Sequence, residues 1–451
     1  MGEDHLIVGV SGVRGVVFDP LSPEVCSRIA ASFANYVGDG AIVVGRDTRP
    51  SGEILKMAVV AGLASAGADV IDLGVATTPT VQLAVEHHGA AGGIAVTASH
   101  NGARWNALKM ISSSGTFLEK DGVEKVAARF RAHAESYRDW ESMGGLSVDS
   151  EASERHIARV LGACQIEPAA IKSRGFRVSI DCVNGAASVV IPELLGRLGC
   201  RVSAIDCDAS GDFRRNPEPV AANIGALCEI VKKERADVGF AFDPDGDRLA
   251  LVADGGDAIG EDMTLAICAD LVLGKTKGPL VTNLSTSRVV EDVARKHEVP
   301  FHRTPIGEIN VVAGMKRVGA AIGGEGNGGV ILPGIHYGRD ALVGVALVLQ
   351  AMLERGLRLS EIAAGYPRYA IVKDKIEFDR IPDFGRLASA IKEQFAAGEF
   401  NLEDGVRVDL GRSWLHVRRS GTEPIVRLIA EAPDAIQARD LIRQARNAIG
   451  T

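Results

Sequence analysis

A strand–helix–strand pattern that occurs three times restricts the possible folds of this chain more than any other feature. In each copy a short apolar run leads into a helical segment, and a second apolar run follows. Parallel strands need such a crossover, and crossover helices cover a mainly parallel sheet. The wide spacing of the copies predicts three related α/β domains in tandem, with mixed, mainly parallel sheets. The copies comprise strands 41–47, 177–181 and 279–283, helices near 52–65, 189–198 and 288–296, and strands 69–74, 201–205 and 299–303.

The C-terminal part of the chain follows a different pattern. Val406–Leu410, Trp414–Val417 and Ile425–Ala430 are alternating runs, and a Gly411–Ser413 turn separates the first two. Such runs are typical of antiparallel strands. A last helix from Pro433 to Ala448 has one apolar face. We therefore expect the chain to end in an α+β domain.

Three segments with weak periodicity mark the expected domain boundaries. They are the polar stretch 138–154, the turn 253–257 and the aromatic, proline-containing stretch 365–369. The chain has 451 residues, which is too long for one ordinary hydrophobic core. The predicted domains are 1–150, 151–253, 254–364 and 365–451.

Composition excludes several classes of protein. Hydrophobic residues make up 46% and charged residues 24%, the balance of a soluble globular protein, and no apolar run is long enough to cross a membrane. A net charge of −8 argues against a nucleic-acid partner. The seven cysteines form no Cys-x-x-Cys pair, and the first residues are acidic, unlike a signal peptide. We expect a cytoplasmic protein.

The hexapeptide Thr97–Gly102 is the candidate centre of the chemistry. It follows the apolar run Gly92–Val96, so its small polar residues indicate a loop at a strand end. Ser99 in such a loop is a candidate nucleophile, with His100 beside it. A serine–histidine pair is also common in ordinary turns, so the hexapeptide alone leaves both interpretations open.

A second candidate site is the sequence Asp243–Arg248, which follows the apolar strand 238–242. Alternate residues of an extended segment point the same way, so Asp243, Asp245 and Asp247 converge and repel unless a cation lies among them. Oxygen ligands favour Mg²⁺. A solvated acidic turn and an EF-hand calcium loop are the alternatives. The EF-hand follows a helix and needs Glu at its twelfth position, where this chain has Asp254.

Two arginines near these loops are candidate anion ligands. Arg14 stands among small residues in Ser11–Gly15, where the backbone can approach an anion closely, and Arg248 follows the aspartates directly. Either guanidinium is equally compatible with an ordinary surface charge.

Two further loops carry hydrogen-bonding side chains among glycines. Gly323–Gly329 presents Glu325 and Asn327, which suit sugar hydroxyls, although a flexible glycine turn has the same composition. Arg418–Pro424, followed by Arg427, combines guanidinium groups, hydroxyls and glycine, as in a phosphate-binding loop without a Walker lysine. A basic hairpin loop is the alternative. Together the four loops favour a phosphorylated ligand in a cleft between domains.

Taken in order, these loops resemble those of the α-D-phosphohexomutase superfamily over essentially the whole chain. Thr97–Asn101 resembles its active-site serine loop and Asp243–Arg248 its metal loop, while Gly324–Gly329 and Arg418–Pro424 resemble its sugar-binding and phosphate-binding loops. The resemblance implies four domains around a central cleft, the last with a TATA-binding-protein-like α+β fold.

The resemblance also implies a reaction. Ser99 would carry a phosphate, and one Mg²⁺ per chain would be held by Asp243, Asp245, Asp247 and an oxygen on Ser99. Phosphoryl transfer to a hexose monophosphate would give a bisphosphorylated sugar, which is both primer and intermediate, and the net result would be a shift between O6 and O1. The implied catalytic residues are Ser99, His100, Lys109, Arg14 and Arg248, and the implied substrate-binding residues are Glu308, Glu325, Asn327, Arg418, Ser420, Gly421, Thr422 and Arg427.

The sequence departs from the usual superfamily pattern at positions that affect sugar specificity. Gly102 stands where proline is usual, Asn327 replaces a serine, and Gly329 stands where histidine is usual. This form resembles phosphoglucosamine mutases of the archaeal-like branch. Glu308 would face the amino group of glucosamine 6-phosphate, or would only cap a helix that begins near Asn310.

Several functions remain open at this stage. Phosphoglucosamine mutase is the first hypothesis, and phosphomannomutase/phosphoglucomutase is the alternative. A metal-dependent phosphatase that uses Ser99 is a different reaction class, and a catalytically silent sugar-phosphate sensor is a non-enzyme class. We expect a small-molecule partner, no nucleic acid, no membrane, and a monomer or homodimer.

Overall fold

The computed structural model describes residues 6–9, 12–377, 383–419 and 425–450. Four β-sheets with their helices follow one another along the chain. In the described residues, no helix has both the length and the apolar character needed to cross a bilayer.

The first sheet has seven strands in the order β1-β2-β6-β5-β3-β4-β7. Strands β3, β4, β5 and β7 run parallel, and β1, β2 and β6 are joined by antiparallel pairings. Its elements are β1 (Ile7–Gly9), β2 (Gly12–Val16), α1 (Pro23–Val37), β3 (Ile42–Arg46), α2 (Gly52–Ser65), β4 (Val70–Val75), α3 (Thr78–His88), β5 (Gly92–Val96), β6 (Trp105–Ser112), α4 (Lys120–Arg131) and β7 (Leu146–Val148).

The second sheet has four strands in the order β11-β10-β8-β9. Strand β8 is parallel to β9 and β10, and β11 is antiparallel to β10. The elements of this part are α5 (Ala152–Leu161), α6 (Pro168–Arg174), β8 (Arg177–Asp181), α7 (Ile191–Arg197), β9 (Arg201–Ile205), α8 (Gly225–Glu234), β10 (Val238–Phe242) and β11 (Leu249–Ala253).

The third sheet repeats this arrangement in the order β13-β12-β14-β15. Strand β12 is parallel to β13 and β14, and β15 is antiparallel to β14. The elements are α9 (Glu261–Lys275), β12 (Leu280–Asn283), α10 (Arg288–Lys296), β13 (Phe301–Thr304), α11 (Glu308–Val318), β14 (Ile322–Glu325), β15 (Gly329–Ile331), α12 (Ala341–Arg355) and α13 (Leu359–Ala364).

The predicted triple repeat is confirmed by these three sheets. The four-strand units β4-β3-β5-β6, β9-β8-β10-β11 and β13-β12-β14-β15 share one topology, in which the third strand turns back into an antiparallel fourth. The prediction of mixed, mainly parallel sheets did not say which strand is antiparallel. The apolar sequence of the fourth strand does not distinguish a parallel from an antiparallel neighbour.

The fourth sheet is antiparallel throughout, in the order β16-β20-β19-β18-β17. It confirms the predicted α+β tail and adds β16, β17 and α14, which the sequence analysis did not identify. The elements are β16 (Ala370–Glu377), α14 (Phe384–Gln394), β17 (Glu399–Asn401), β18 (Val406–Leu410), β19 (Ser413–Arg419), β20 (Ile425–Ala432) and α15 (Ala435–Ile449).

The hydrophobic cores do not follow the sheets one to one. A single continuous cluster joins the second and third domains, with Leu249 of β11, Leu265 of α9 and Leu342 of α12 among its members. The first domain has clusters on both faces of its sheet, and the fourth has its own smaller cluster. The second and third domains therefore form one packed body, while the fourth is stabilised mainly by its own core.

The four domains surround a cleft of about 1300 Å³. Each domain contributes side chains to its wall. The wall includes Arg14 and Ser99 from the first domain, Glu218 and Arg248 from the second, Glu308 and Glu325 from the third, and Lys373 and Arg427 from the fourth.

Candidate functional site

Three of the four candidate loops occupy the same position in the three repeats. The serine loop connects β5 to β6, the aspartate loop (residues 243–248) connects β10 to β11, and the glycine turn 326–328 connects β14 to β15. Each loop therefore leaves the carboxyl end of the third strand of its repeat. Ligands of open α/β sheets bind at this end of the strands. The repeat thus brings one candidate loop from each α/β domain to the cleft.

Ser99 lies at a strained point of the serine loop. Its backbone φ is 49°, a left-handed conformation that is uncommon for a residue with a side chain, and only 3% of its surface is exposed. Its Oγ donates a hydrogen bond of 2.8 Å to Asp243 Oδ2 and lies 3.4 Å from His100 Nδ1. The fold therefore holds the hydroxyl directly against the aspartate loop, 144 residues further along the chain.

A buried ion pair that the sequence analysis missed fixes this loop. Arg49 donates from Nε to Asp47 Oδ2 at 2.8 Å, from Nη1 to the Gly102 carbonyl at 2.8 Å, and from Nη2 to the Ser99 carbonyl. Asp47 also accepts a 2.6 Å bond from Thr97 Oγ1, which in turn accepts from the Ser99 N–H at 3.1 Å. Both charged side chains are buried. The polar residues directly after β3 were the only sign of this ion pair in the sequence. The serine loop that they hold lies about 50 residues further along the chain.

The three aspartates are fully buried, with 0% of each exposed, and their oxygens lie within 4.8 Å of one another. Burial, followed by repulsion from Asp247 and Asp245, raises the pKa of Asp243. Burial alone would raise the pKa of Asp247 too, but Arg339, Lys109 and Arg248 lower it. The solvated acidic turn is therefore excluded. The loop also lies between two strands, unlike an EF-hand.

Two side chains of the first domain tie Asp245 in place. Lys109 on β6 donates to Asp245 Oδ2 at 2.6 Å and lies 3.5 Å from Asp247 Oδ2. Burial alone would lower the pKa of Lys109, but Asp245 and Asp247 raise it, so the amine is charged. Thr78 at the start of α3 donates from Oγ1 to the same oxygen and from its N–H to the Asp245 carbonyl. Thr78 was not predicted.

The donor set fits a magnesium ion. Among the residues that the structure describes, no hydrogen-bond donor reaches the buried Oδ1 atoms of Asp245 and Asp247. A buried carboxylate oxygen without a donor is costly, and a cation would satisfy it. Oxygen-only ligands of this kind suit a hard divalent ion.

Arg14, Arg248 and His100 line the cleft together with Ser99. Arg14 lies on strand β2, not in a loop, and donates from Nη1 to Asn101 Oδ1 at 2.6 Å. Arg248 is 9% exposed and lies 3.4 Å from Glu218 Oε1 through Nη1. The charge of Arg248, together with burial, holds the pKa of His100 well below its usual value, so the ring is neutral. Neither arginine is an ordinary surface charge.

Arg339 connects Glu325, next to the glycine turn, to the aspartate loop. It is 7% exposed and donates to three carboxylates: to Asp247 Oδ2 at 2.6 Å, to Glu325 Oε2 at 2.5 Å and to Glu308 Oε2 at 3.0 Å. Burial alone would lower the pKa of Arg339, but Asp247, Glu325 and Glu308 raise it well above the usual value. One guanidinium therefore balances carboxylates from the second and third domains.

Glu308 does not cap a helix near Asn310, because it is itself the first residue of α11, after Gly307. Its Oε1 accepts a 3.2 Å bond from Gln82 Nε2 of the first domain, and burial raises its pKa. Glu325 accepts from Asn283 Nδ2 at 2.7 Å and from the Gly307 N–H at 3.1 Å. Both glutamates are thus held in fixed orientations at the cleft wall.

Asn327 is in the glycine turn at the cleft wall, with its Nδ2 3.4 Å from Glu325 Oε2. The next residue, Gly328, has φ 87°, and a Cβ there would lie 2.3 Å from the Leu249 carbonyl oxygen. Glycine is therefore required, and the turn packs directly against the residue that follows Arg248. This is a tightly fitted turn and not a flexible one.

The fourth domain presents a row of cations on one face of its sheet. Arg418 of β19 is paired in register with Arg427 of β20, which is paired with Lys375 of β16. Directly opposed residues share a face, and like charges in that position repel. Arg427 and the neighbouring Lys373 line the cleft. The arrangement suits an anion. The predicted residues Ser420, Gly421 and Thr422 lie outside the described residues.

Four domain families of known enzymes match consecutive parts of the chain. The phosphoglucomutase/phosphomannomutase families match it at residues 5–137 (alpha/beta/alpha domain I), 154–256 (domain II), 260–369 (domain III) and 371–448 (C-terminal domain). The domain boundaries predicted from the sequence, at 150, 253 and 364, stay predictions.

Individual relatives are similar over nearly their full length. The phosphoglucomutase/phosphomannomutase of Thermococcus kodakarensis is 35% identical, over 97% of this chain and 96% of its own. The probable phosphoglucosamine mutase of Methanopyrus kandleri is 34% identical, over 96% and 95%. A crystal structure of a phosphoglucomutase/phosphomannomutase family protein from Burkholderia thailandensis has a TM-score of 0.86 at 26% identity, over 98% of this chain and 96% of that one.

Proposed function

The chain belongs to the phosphoglucomutase/phosphomannomutase family within the α-D-phosphohexomutase superfamily, and on this premise we propose which reaction it catalyses. It interconverts hexose 6-phosphates and hexose 1-phosphates through a phosphoserine at Ser99 and a bisphosphorylated sugar. Its preferred reaction converts glucosamine 6-phosphate to glucosamine 1-phosphate.

One contact carries the proposal: the 2.8 Å hydrogen bond from Ser99 Oγ to Asp243 Oδ2. It joins a nucleophile of the first domain to a cluster of three buried carboxylates in the second, at the wall of a cleft. A phosphate on this oxygen would lie beside Asp243, in a cleft that Lys109, Arg14 and Arg248 also line. Phosphoryl transfer requires such positioning and charge neutralisation above all.

The residues around Ser99 divide the work of the transfer. The bond between phosphorus and Ser99 Oγ breaks as the free hydroxyl of the sugar attacks, and the neutral His100 ring accepts the proton that this hydroxyl loses. Arg14 and Arg248 hold the charged oxygens of the transferring group. Asp243, Asp245 and Asp247 would hold Mg²⁺, which supplies positive charge to that group.

The other end of the cleft would hold the rest of the substrate. Arg418 and Arg427 bind the phosphate that is not being transferred, with Ser420, Gly421 and Thr422 between them in sequence. Glu325 and Asn327 bind sugar hydroxyls. The bisphosphorylated sugar then turns round in the cleft and returns its other phosphate to Ser99, so one set of residues serves both half-reactions.

Two observations bear on the sugar. Glu308 places a carboxylate at the cleft wall, where the ammonium group of glucosamine 6-phosphate would pair with it. However, this carboxylate already accepts bonds from Arg339 and Gln82, and that reduces its attraction for a further cation. A phosphomannomutase/phosphoglucomutase is therefore the second candidate, and the name of the Thermococcus kodakarensis relative favours it.

A coupled mutase assay with Mg²⁺ and a bisphosphorylated primer tests the proposal. Glucosamine 6-phosphate, glucose 1-phosphate and mannose 1-phosphate are compared by kcat/KM. We expect the highest value for glucosamine 6-phosphate, and a higher value for glucose or mannose would favour the second candidate. Sustained release of inorganic phosphate in equal amount to the substrate consumed would instead identify a phosphatase. The Ser99→Ala variant is the control for contaminating mutases.

A further inference from the structure

Two cysteines meet directly behind the aspartate loop, at the ends of neighbouring parallel strands. Strands β8 and β9 pair in register up to Asp181 and Ile205, so Cys182 follows one strand and Cys207 lies two residues beyond the other. All seven cysteines are free thiols. The proposed function uses neither of these two.

The backbone brings both cysteines to the same buried cluster. In a regular strand Cys207 would point to the same side as Ile205 and Asp181, and Cys182 would point to the opposite side. Asp206, however, has a left-handed φ of 47°, which ends the alternation. Cys207 packs against the buried cluster that contains Cys182, and its Sγ donates to the Ile205 carbonyl at 3.2 Å. The two segments are also joined by the Asn184 N–H, which donates to the Asp206 carbonyl at 2.5 Å.

The thiols differ in access and acidity. Cys182 is fully buried, whereas Cys207 is half-buried at the surface. Hydrogen bonding from Cys182 lowers the pKa of the Cys207 thiol, while burial raises the pKa of Cys182. A small oxidant therefore meets the more acidic thiol first, which is the order needed for an attacking and a resolving cysteine.

The segment that carries Cys182 also supports the aspartate loop. The Gly185 N–H donates to the Cys182 carbonyl at 2.7 Å, and the Ala186 N–H donates to the Pro244 carbonyl at 2.7 Å. A Cβ on Gly185 would lie 2.6 Å from Pro244 Cα, so the two segments are in close contact. Val183 and Asn184 between them hold left-handed φ values of 48° and 51°. A shift at Cys182 is therefore passed to Pro244, between Asp243 and Asp245.

We propose that Cys182 and Cys207 form a reversible intramolecular disulfide, and that its formation displaces the aspartate loop and lowers turnover. A disulfide requires the two sulfurs to close to about 2.05 Å, and the segment 182–186 moves with Cys182. The loss of turnover depends on the proposed function, whereas the disulfide itself does not.

The oxidation balances with a low-molecular-weight disulfide as oxidant. The Cys207 thiolate attacks one sulfur of the small disulfide and releases a small thiolate. The Cys182 thiol then loses its proton and attacks the Cys207 sulfur of the mixed disulfide, which releases the second small thiolate. Two electrons pass from the protein to the small disulfide, which leaves as two thiols.

The experiment treats the full-length protein with oxidised glutathione and maps its peptides by mass spectrometry without reduction. We expect one link, between the peptides that contain Cys182 and Cys207, together with a severalfold loss of Mg²⁺ affinity and turnover that dithiothreitol reverses. Cys207→Ser should retain its Mg²⁺ affinity under the oxidant. Cys200→Ser, at the other end of β9, should respond like the wild type.

Two results would overturn the proposal. If the two peptides stay unlinked at a concentration of oxidised glutathione that modifies the exposed Cys164, the disulfide does not form. If the link forms while Mg²⁺ affinity and turnover stay unchanged, the aspartate loop is not coupled to it. If the protein has no mutase activity, the peptide map and the Mg²⁺ affinity still test the disulfide and its effect on the aspartate loop. Failure of the proposed function is therefore distinguishable from failure of the disulfide proposal.

Discussion

The two ends of the cleft differ in how they hold charge. At the end where transfer is proposed, here called the reacting end, Asp243, Asp245 and Asp247 are 0% exposed and Ser99 is 3% exposed. The shared core of the second and third domains lies beneath the aspartate loop there. At the end proposed to bind the other phosphate, here called the anchoring end, Arg427 is exposed and Arg418 half-buried, on a domain with a small core of its own. Buried charges interact strongly and are little screened, whereas exposed ones are weakened by water and salt.

This difference indicates separate roles for the two ends. The reacting end is assembled from elements distant in sequence and is rigid, so changes there should reduce kcat. The anchoring end should contribute substrate binding that varies with ionic strength. The following predictions test this comparison, and they assume the proposed reaction.

The largest effect is expected from Ser99→Ala, which removes the oxygen that would carry the phosphate. Mutase kcat should fall by roughly 10⁴-fold or more, because no other group replaces a nucleophile. The melting temperature should change little. Ser113→Ala, at an exposed serine in the turn after β6, is the matched control. Retention of mutase activity by Ser99→Ala would disprove the phosphoserine assignment.

Asp245→Asn comes next, because it removes one buried charge while keeping the shape of the side chain. We expect weaker Mg²⁺ binding by calorimetry and a kcat about 100-fold lower, comparable to the loss of one preorganised electrostatic group. The fold should persist, as judged by circular dichroism. Asp139→Asn, at an exposed aspartate that does not line the cleft, serves for comparison. Unchanged activity would count decisively against the metal assignment.

Arg339→Lys should have an intermediate effect. Lysine keeps one charge but cannot donate to Asp247, Glu325 and Glu308 together, so two buried carboxylates lose a donor. We expect kcat/KM to fall about tenfold. The packed second and third domains should lose roughly 2–3 kcal/mol of free energy of unfolding. Thermal unfolding and steady-state kinetics measure both. A variant as stable as the wild type would show that the reacting end does not depend on this network.

Arg427→Gln should have the smallest effect. KM is expected to rise a fewfold with kcat nearly unchanged, because an exposed charge contributes about 1 kcal/mol or less. The wild-type KM should rise with added salt, and that of Arg427→Gln should rise less. Arg439→Gln, on the exposed side of α15, is the matched control. A large loss of kcat would contradict the division between the two ends.

Much of the fold was predictable because it follows from local patterns. Helices α2 (Gly52–Ser65) and α10 (Arg288–Lys296) and strands β8 and β9 were predicted with their observed bounds. Apolar periodicity is set by neighbours in the sequence, and each element buries one stripe or face. Strand β17 and the edge strand β7 were missed, because three-residue strands give too little pattern.

The residues of the candidate site also divide into those with a local sequence pattern, which were predicted, and those without one, which were missed. Ser99, the aspartates and the glycine-rich turn are recognisable because each loop carries its own chemistry on consecutive residues. The sequence analysis missed Asp47, Arg49 and Thr78. Each contacts the site through a residue at least 50 positions away in the sequence, so no local pattern marks it. The small residues around Arg14 did not predict a strand, yet Arg14 lies in β2, since small residues suit an anion-binding turn and a closely packed strand equally well.

The sequence by itself determined the repeated α/β architecture, the superfamily and the residues able to do chemistry, because these depend on local order along the chain. The tertiary structure alone decided that one loop from each α/β domain meets at the same cleft. It also decided that Arg339 connects three carboxylates and that Cys182 lies behind the aspartate loop. These contacts join segments far apart in sequence, and only packing of the folded chain sets the distances and the burial on which their charges act.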